Sequence, residues 1–253
     1  MDTRAWFSAY MDEHQPEGVW SLAADWSVRL CLRVFAATGD EKCRAYVIAW
    51  ADSLIAADAC VPECGKALFF ALENTGEAKY RDAIEAVLSR LGRAPSAAVL
   101  PAETLYAELP FRMAYEMRLG GMEKVGQCAG KFVQSFRTLW DEKSGLISGG
   151  RYQSSAALLA LADCIGLCSD QLYEHWRAMV DVYRVVLRGL LAAETPENPE
   201  TAGMLLTALQ AGVRMRIIDP ERYLPAADKR ISALRADGYD RAADLLEMEG
   251  GAL

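Results

Sequence analysis

Histidine is scarce in this chain, which has only His14 and His175, and neither stands near a pair of cysteines in the sequence. Zinc sites usually combine histidine with closely spaced cysteines, so we predict no metal and no other cofactor. The nucleophile elbow GxSxG, the phosphate loop GxxxxGK and the zinc motif HExxH are also missing. These absences remove the support for a serine hydrolase of the α/β type, a phosphate-loop enzyme or a zinc peptidase.

Clustered positive charge is missing as well. The 27 Lys and Arg residues are scattered and are outnumbered by 35 Asp and Glu, which gives a formal net charge of −8. Nucleic-acid phosphates need a dense basic surface, so nucleic acid is not expected as a partner. A small anionic ligand held by one or two arginines remains compatible with this balance.

Long apolar segments are absent too. No window holds about 18 uncharged apolar residues, so we predict no membrane span. The first 18 residues, MDTRAWFSAYMDEHQPEG, include acids and lack an apolar centre, so they do not resemble a secretion signal. We therefore expect a cytoplasmic protein without a membrane partner, whose seven cysteines stay reduced.

The chain has no convincing stretch of alternating β-branched residues, whereas helical periodicity is present almost throughout. Apolar residues recur at spacings of three and four, as the buried face of a helix requires. We predict helices over 3–13, 21–39, 43–57, 65–76, 80–92, 111–121, 154–167, 175–193, 202–219 and 239–248.

Short helix connections repeat along the chain. TGDEKCRAY (38–46) aligns with TGEAKYRDA (75–83) at a spacing of 37 residues, and DPERYLPAAD (219–228) is a looser echo. Glycine suits the left-handed end of a helix, and the following Asp suits the start of the next one. About twelve helices in hairpins of this length predict a single all-α domain over 1–253, an (α/α)6 toroid with short loops.

The ordered succession of several segments resembles one group of enzymes. TGEAKYRDA (75–83), AETLYAELPF (102–111), GGRYQS (149–154) and ALQAGVRMRIIDPERYLPAADK (208–229) look like the unsaturated glucuronyl and rhamnogalacturonyl hydrolases, glycoside hydrolase families 88 and 105. The resemblance spans nearly the whole chain and marks it as a shortened, divergent member. It implies the (α/α)6 toroid fold and a small, anionic saccharide as substrate.

The resemblance also implies roles for particular residues. The family's catalytic Asp falls on Glu103. A carboxyl at this position could act as a general acid if its pKa is raised. Substrate contacts are predicted for a basic residue, three aromatic residues and one acid, namely Arg151, Tyr106, Trp20, Tyr152 and Asp58. Arg151 could pair with the substrate carboxylate, and the aromatic rings could stack on sugar. Each also has an ordinary structural reading: Glu103 as a helix-start acid, Arg151 as a surface residue, the aromatics as core.

The family pattern breaks at several positions. The second acidic position falls near Cys60, where Asp58 or Glu63 could replace it. The loops RAPSAAVLP (93–101) and SGLISGG (144–150) are short. These departures predict weak hydrolysis or an unusual, larger substrate.

The function implied by the resemblance is a glycoside hydrolase that hydrates the C4–C5 double bond of a terminal unsaturated uronic acid. The acid protonates C4, water adds at C5, and the hemiketal opens to release the neighbouring sugar. The alternative is a catalytically degenerate relative that binds sugar or a protein through the same cavity. A sugar epimerase of the N-acylglucosamine 2-epimerase kind is a weaker alternative, because that chemistry works through pocket histidines and this chain has only two histidines. A purely structural helical scaffold, which would leave the ring open, is a further alternative.

Overall fold

The structure is a computed structural model that describes residues 3–92, 100–168, 172–192 and 198–250. Contacts within the chain divide it into two compact units, Met1–Ala94 with Gly251–Leu253, and Pro95–Gly250. The single domain predicted over 1–253 stays a prediction.

The first unit consists of helices joined by short turns. Its α-helices are α1 (Thr3–Glu13), α2 (Leu22–Thr38), α3 (Glu41–Ala56), α4 (Gly65–Thr75) and α5 (Ala78–Leu91), and a 3-10 turn at Pro62–Cys64 precedes α4. The helices α2 and α3 form one hairpin, and α4 and α5 form the next.

The second unit contains seven further helices and one small hairpin of strands. Its helices are α6 (Ala102–Arg118), α7 (Val125–Leu139), α8 (Gly150–Leu167), α9 (Tyr173–Ala192), α10 (Pro199–Arg214), α11 (Pro220–Ala236) and α12 (Asp240–Gly250). The strands β1 (Trp140–Asp141) and β2 (Leu146–Ile147) pair antiparallel between α7 and α8.

The predicted helix ends have the predicted chemistry. Gly39 and Gly76 end α2 and α4 in the left-handed conformation, with φ of 70° and 71°. The Asp40 carboxylate accepts the backbone N–H groups of Lys42 and Cys43 at the start of α3. Local capping of this kind needs no tertiary contact, which is why the sequence alone predicts these ends.

The second unit has an interior layer and an outer layer. Residues 154–162 of α8 and 201–210 of α10 are buried all round, as expected for helices that are apolar on every side. The small residues of α8 allow its close packing against α6 and α10, whereas α7 and α9 pack outside them with one exposed face.

Two details depart from the sequence-based expectations. The helix predicted over 111–121 begins nine residues earlier as α6, and Pro110 lies inside it. The turn between β1 and β2 was not predicted; the Asp141 carboxylate closes it by accepting the N–H groups of Lys143 and Ser144. Within the described ranges, no helix is long and apolar enough to cross a membrane.

Candidate functional site

Glu103 lies in the first turn of α6, directly after Pro101 and Ala102, as its sequence context predicted. Its side chain is outside the part of the chain that the structure describes. Tyr106 follows one turn later and is half-buried. Pro110 lacks the N–H that would bond the Tyr106 carbonyl, so the helix is locally irregular just after these residues.

Arg151 and Tyr152 lie at the amino end of α8, next to α6, but their side chains are in different situations. The Arg151 Nη1 donates a hydrogen bond to the Leu190 carbonyl at 3.3 Å, which ties α8 to the last turns of α9. Burial, and then the nearby Arg230, lower the pKa of the Arg151 guanidinium. Arg151 thus has a structural contact in addition to its predicted role, and its substrate contact stays a prediction.

Tyr152 is the more accessible of the two, with 43% of its surface exposed. Its pKa is raised first by burial and second by the charge of Glu200, a residue of the first turn of α10. Sequence reasoning did not single out Glu200. The Asn198-Pro199 start of its helix is the local feature that could have identified it, because Asn198 caps α10 and Pro199 fills its first position.

Trp20 and Asp58, the other predicted contacts, belong to the first unit. Trp20 is half-buried and stands two residues before α2. Asp58 is exposed and adopts a left-handed conformation with φ of 50° in the turn after α3. The thiol of Cys60 is buried, and burial raises its pKa, so it remains neutral and cannot substitute for a carboxylate.

A buried ion pair at the amino end of α2 was not predicted from the sequence. The Arg29 Nε contacts the Asp25 Oδ2 at 2.6 Å, and their side chains are only 10% and 3% exposed. The two residues are one helical turn apart, which lets the pair form within α2. Their burial depends on the helices packed around α2, which the local sequence does not reveal.

Glu63 is the carboxyl of the first unit with the environment that a general acid requires. It lies in the 3-10 turn that leads into α4 and is half-buried. Burial raises the pKa of Glu63, and the negative charge of Asp25 raises it further. Of the two acids that bracket the altered family position, Glu63 is therefore partly desolvated, whereas Asp58 is exposed to solvent.

The contacts of His14 and the burial of the cysteines bear on whether they could bind a metal. The His14 ring stacks on Tyr10 at 4.4 Å between ring centroids, and its Nδ1 lies 2.8 Å from the Tyr10 carbonyl oxygen. All seven cysteines are free thiols, and all except Cys168 are buried. Among the described residues, no group of three or more His, Cys, Asp or Glu side chains is arranged to hold a metal ion.

Solved structures with the same fold are glycoside hydrolases and a polysaccharide lyase. A glycoside hydrolase of family 105 from C. acetobutylicum aligns with 91% of this chain and 81% of its own, at 16% identity and a TM-score of 0.73. A polysaccharide lyase aligns with 96% and 93%, at 13% identity and a TM-score of 0.72. A family 88 glycosyl hydrolase from Bacteroides vulgatus aligns with 96% and 94%, at 15% identity and a TM-score of 0.67.

These likenesses confirm the predicted fold class, an all-α (α/α)6 toroid, and the predicted resemblance to families 88 and 105. Identities of 13–16% are too low to transfer a reaction from fold alone. No protein-family model matches the sequence, and no curated protein matches it.

Proposed function

We propose that the chain is a glycoside hydrolase-like enzyme that acts on oligosaccharides ending in an unsaturated uronic acid, by hydration of the C4–C5 double bond. The observation that carries the proposal is the likeness of more than nine-tenths of the chain to structures of families 105 and 88. The ordered resemblance of short sequence segments to the same two families supports it independently of the fold.

Hydration of the double bond requires a carboxyl that is protonated when substrate binds. The proton goes to C4, water supplies its oxygen to C5, and the resulting hemiketal opens to release the next sugar. A carboxyl does this near neutral pH only if its pKa is raised, because an ionised acid has no proton to give. The proposal therefore requires a carboxyl whose pKa is raised.

Two carboxyls compete for this role. Glu103 has the position that the resemblance assigns to the acid, in the first turn of α6. Glu63 has a raised pKa, as such an acid requires, because of burial and of the charge of Asp25. Glu63 precedes α4 and Glu103 begins α6, and each can be tested alone.

The test is turnover of unsaturated uronyl disaccharides, followed as loss of the conjugated-alkene absorbance. We expect Glu103→Gln to lower kcat by at least about a hundredfold, the scale of general acid catalysis. A comparable loss in Glu63→Gln would identify Glu63 as a second participant. Asp82→Asn is the control, because it neutralises an exposed carboxyl of α5 in the same unit, and no catalytic or binding role is predicted for Asp82.

The result can also contradict the proposal. Ordinary turnover that neither Glu103→Gln nor Glu63→Gln changes would exclude both acids. Absence of turnover on every unsaturated uronyl substrate would exclude hydration as the function.

The second candidate is a catalytically degenerate relative that binds a saccharide without converting it. The observation in its favour is Cys60, a buried neutral thiol near the position where the family has its second acid. Saturable binding of an unsaturated disaccharide without loss of the alkene absorbance would support this candidate. A cytoplasmic location is part of either proposal, and the seven free thiols support a reducing compartment.

A further inference from the structure

A groove of about 370 Å³ lies between the outer helices α7 and α9 of the second unit. We call it the α7–α9 groove. The residues that matter for its chemistry come from both helices and are Gly130, Gln134, Arg137, Thr138, His175 and Ala178.

The groove exists because small residues line its floor. Gly130 and Ala178 leave the space between the two helices open, and no atom lies within 4 Å of where a Cβ of Gly130 would be. Gly126 has a different role, since a Cβ there would lie 2.7 Å from the His175 Nε2. A glycine at this position lets the imidazole approach the backbone of α7 at one end of the groove.

Three of the side chains that line the groove carry N–H groups that can donate hydrogen bonds. Arg137 presents an exposed, cationic guanidinium, and His175 presents a half-buried imidazole. The Gln134 side chain provides an amide, while the Thr138 hydroxyl donates its hydrogen to the Gln134 backbone carbonyl at 3.1 Å and is therefore already engaged. This donor set matches a carboxylate or a phosphate.

Local charge favours an anion although the protein as a whole is acidic. The sequence of α7, VGQCAGKFVQSFRTL, contains a lysine and an arginine and no acid, in a chain with a net charge of −8. Among the residues that the structure describes, those that line the groove include no carboxylate. An anion that enters it therefore meets the positive charge of Arg137 without an acid among these described lining residues.

The dimensions of the groove select a small ligand. Gly130 and Thr138 are eight residues apart, which corresponds to about 12 Å along the helix axis. The volume is near the lower end of the range of small-molecule sites, about 300–1,000 Å³. A monosaccharide acid or a sugar phosphate has this size, whereas a folded partner does not fit.

We propose that the α7–α9 groove binds a small oxyanion-bearing molecule, with Arg137 and His175 contacting the anionic group. None of these residues takes part in the proposed hydration, so the groove is a second site and does not depend on that function. Two sources share the required chemistry, a sugar carboxylate and a phosphate, and binding measurements distinguish them.

The test is isothermal titration calorimetry of the full chain with sodium glucuronate and with sodium phosphate, at constant ionic strength. We expect saturable binding of at least one of the two. Arg137→Gln is expected to weaken it by about tenfold or more, because a charge-assisted hydrogen bond is lost. Gly130→Leu is expected to abolish binding by filling the groove, and the free space at this position keeps the protein folded, with a Tm at least as high as that of the unchanged protein.

Arg177→Gln is the matched control, because it removes the same charge from an exposed position of α9 that does not line the groove. It should leave binding within about twofold of the unchanged protein, since the exposed Arg177 side chain does not line the groove. An equal weakening by Arg177→Gln and Arg137→Gln would show a diffuse charge effect and overturn the proposal. No saturable heat with either anion, or full binding in Gly130→Leu, would also overturn it. Activity on unsaturated disaccharides is a separate readout that none of these outcomes decides.

Discussion

Replacement of Arg29 by methionine is expected to destabilise the protein strongly, because it leaves the carboxylate of Asp25 buried without its ion-pair partner. The two side chains are 10% and 3% exposed, so solvent screens the pair little. Breaking a buried ion pair from one side costs about 3–5 kcal/mol, and methionine retains most of the packing of the arginine stem. We therefore expect a loss of about 3 kcal/mol in the free energy of unfolding, or about 6–12 °C in Tm.

The measurement is urea unfolding followed by far-ultraviolet circular dichroism at neutral pH. The double variant Asp25→Leu/Arg29→Met removes both charges and is expected to recover most of the loss, because apolar replacement of a buried pair is often neutral. Arg44→Met is the control; its partner Glu41 is 73% exposed, so the cost should be about 1 kcal/mol or less.

The reasoning would be refuted if Arg29→Met and Arg44→Met had the same effect, or if the double variant were as unstable as Arg29→Met. Either result would show that the charge of Asp25 is not the source of the penalty. A double-mutant cycle that adds the single variant Asp25→Leu to the unchanged protein, Arg29→Met and the double variant gives the coupling between the two side chains directly.

Three further predictions concern the pH dependence, the packing and the caps of the helices. Since burial raises the pKa of Glu63, the folded protein keeps this proton to higher pH than the unfolded chain does. The free energy of unfolding therefore falls as the pH rises through the pKa of the folded state. Glu63→Gln should flatten this dependence in urea titrations between pH 4 and 8, roughly the range above an ordinary Glu pKa. Gly189→Ala should lower the free energy of unfolding by about 1–3 kcal/mol, because its Cβ would lie 2.7 Å from a backbone carbonyl carbon of the β1–β2 turn. Gly130→Ala, with free space around the new Cβ, should raise it by up to about 1 kcal/mol. Equal effects of the two variants in thermal unfolding would contradict this prediction. Asp40→Ala should lower the free energy of unfolding by about 1 kcal/mol, because it removes a cap that accepts two backbone N–H groups. Glu77→Ala, at the equivalent position of the repeat, should be nearly neutral in the same measurement, because no side-chain cap forms there.

The sequence predicted the helices and the fold class because both depend on local patterns. Apolar spacing and caps act within one or two turns, so α1 was predicted with its observed bounds, and α2, α4 and α8 within a few residues. Departures occur where two local rules conflict. Apolar periodicity missed the first half of α6, which contains Pro110, although the context of Glu103 predicted a helix start there. The two glycines of α7 lowered its helical propensity, so α7 was not singled out.

The sequence by itself also placed Glu103 at the start of a helix, as observed in α6, whereas its role as the acid and the altered acidic position near Cys60 are implied by the resemblance and stay predictions. Only the tertiary structure decided which side chains are desolvated and what they contact. Arg151 meets the carbonyl of Leu190, 39 residues away, and Glu63 gains its raised pKa from burial and from Asp25, 38 residues before it. The α7–α9 groove likewise joins Arg137 to His175 across two helices. Helical periodicity and capping depend on neighbours in the chain, so the sequence determined them. Burial and electrostatic environment depend on contacts between residues that are distant in the chain, so only the tertiary structure determined them.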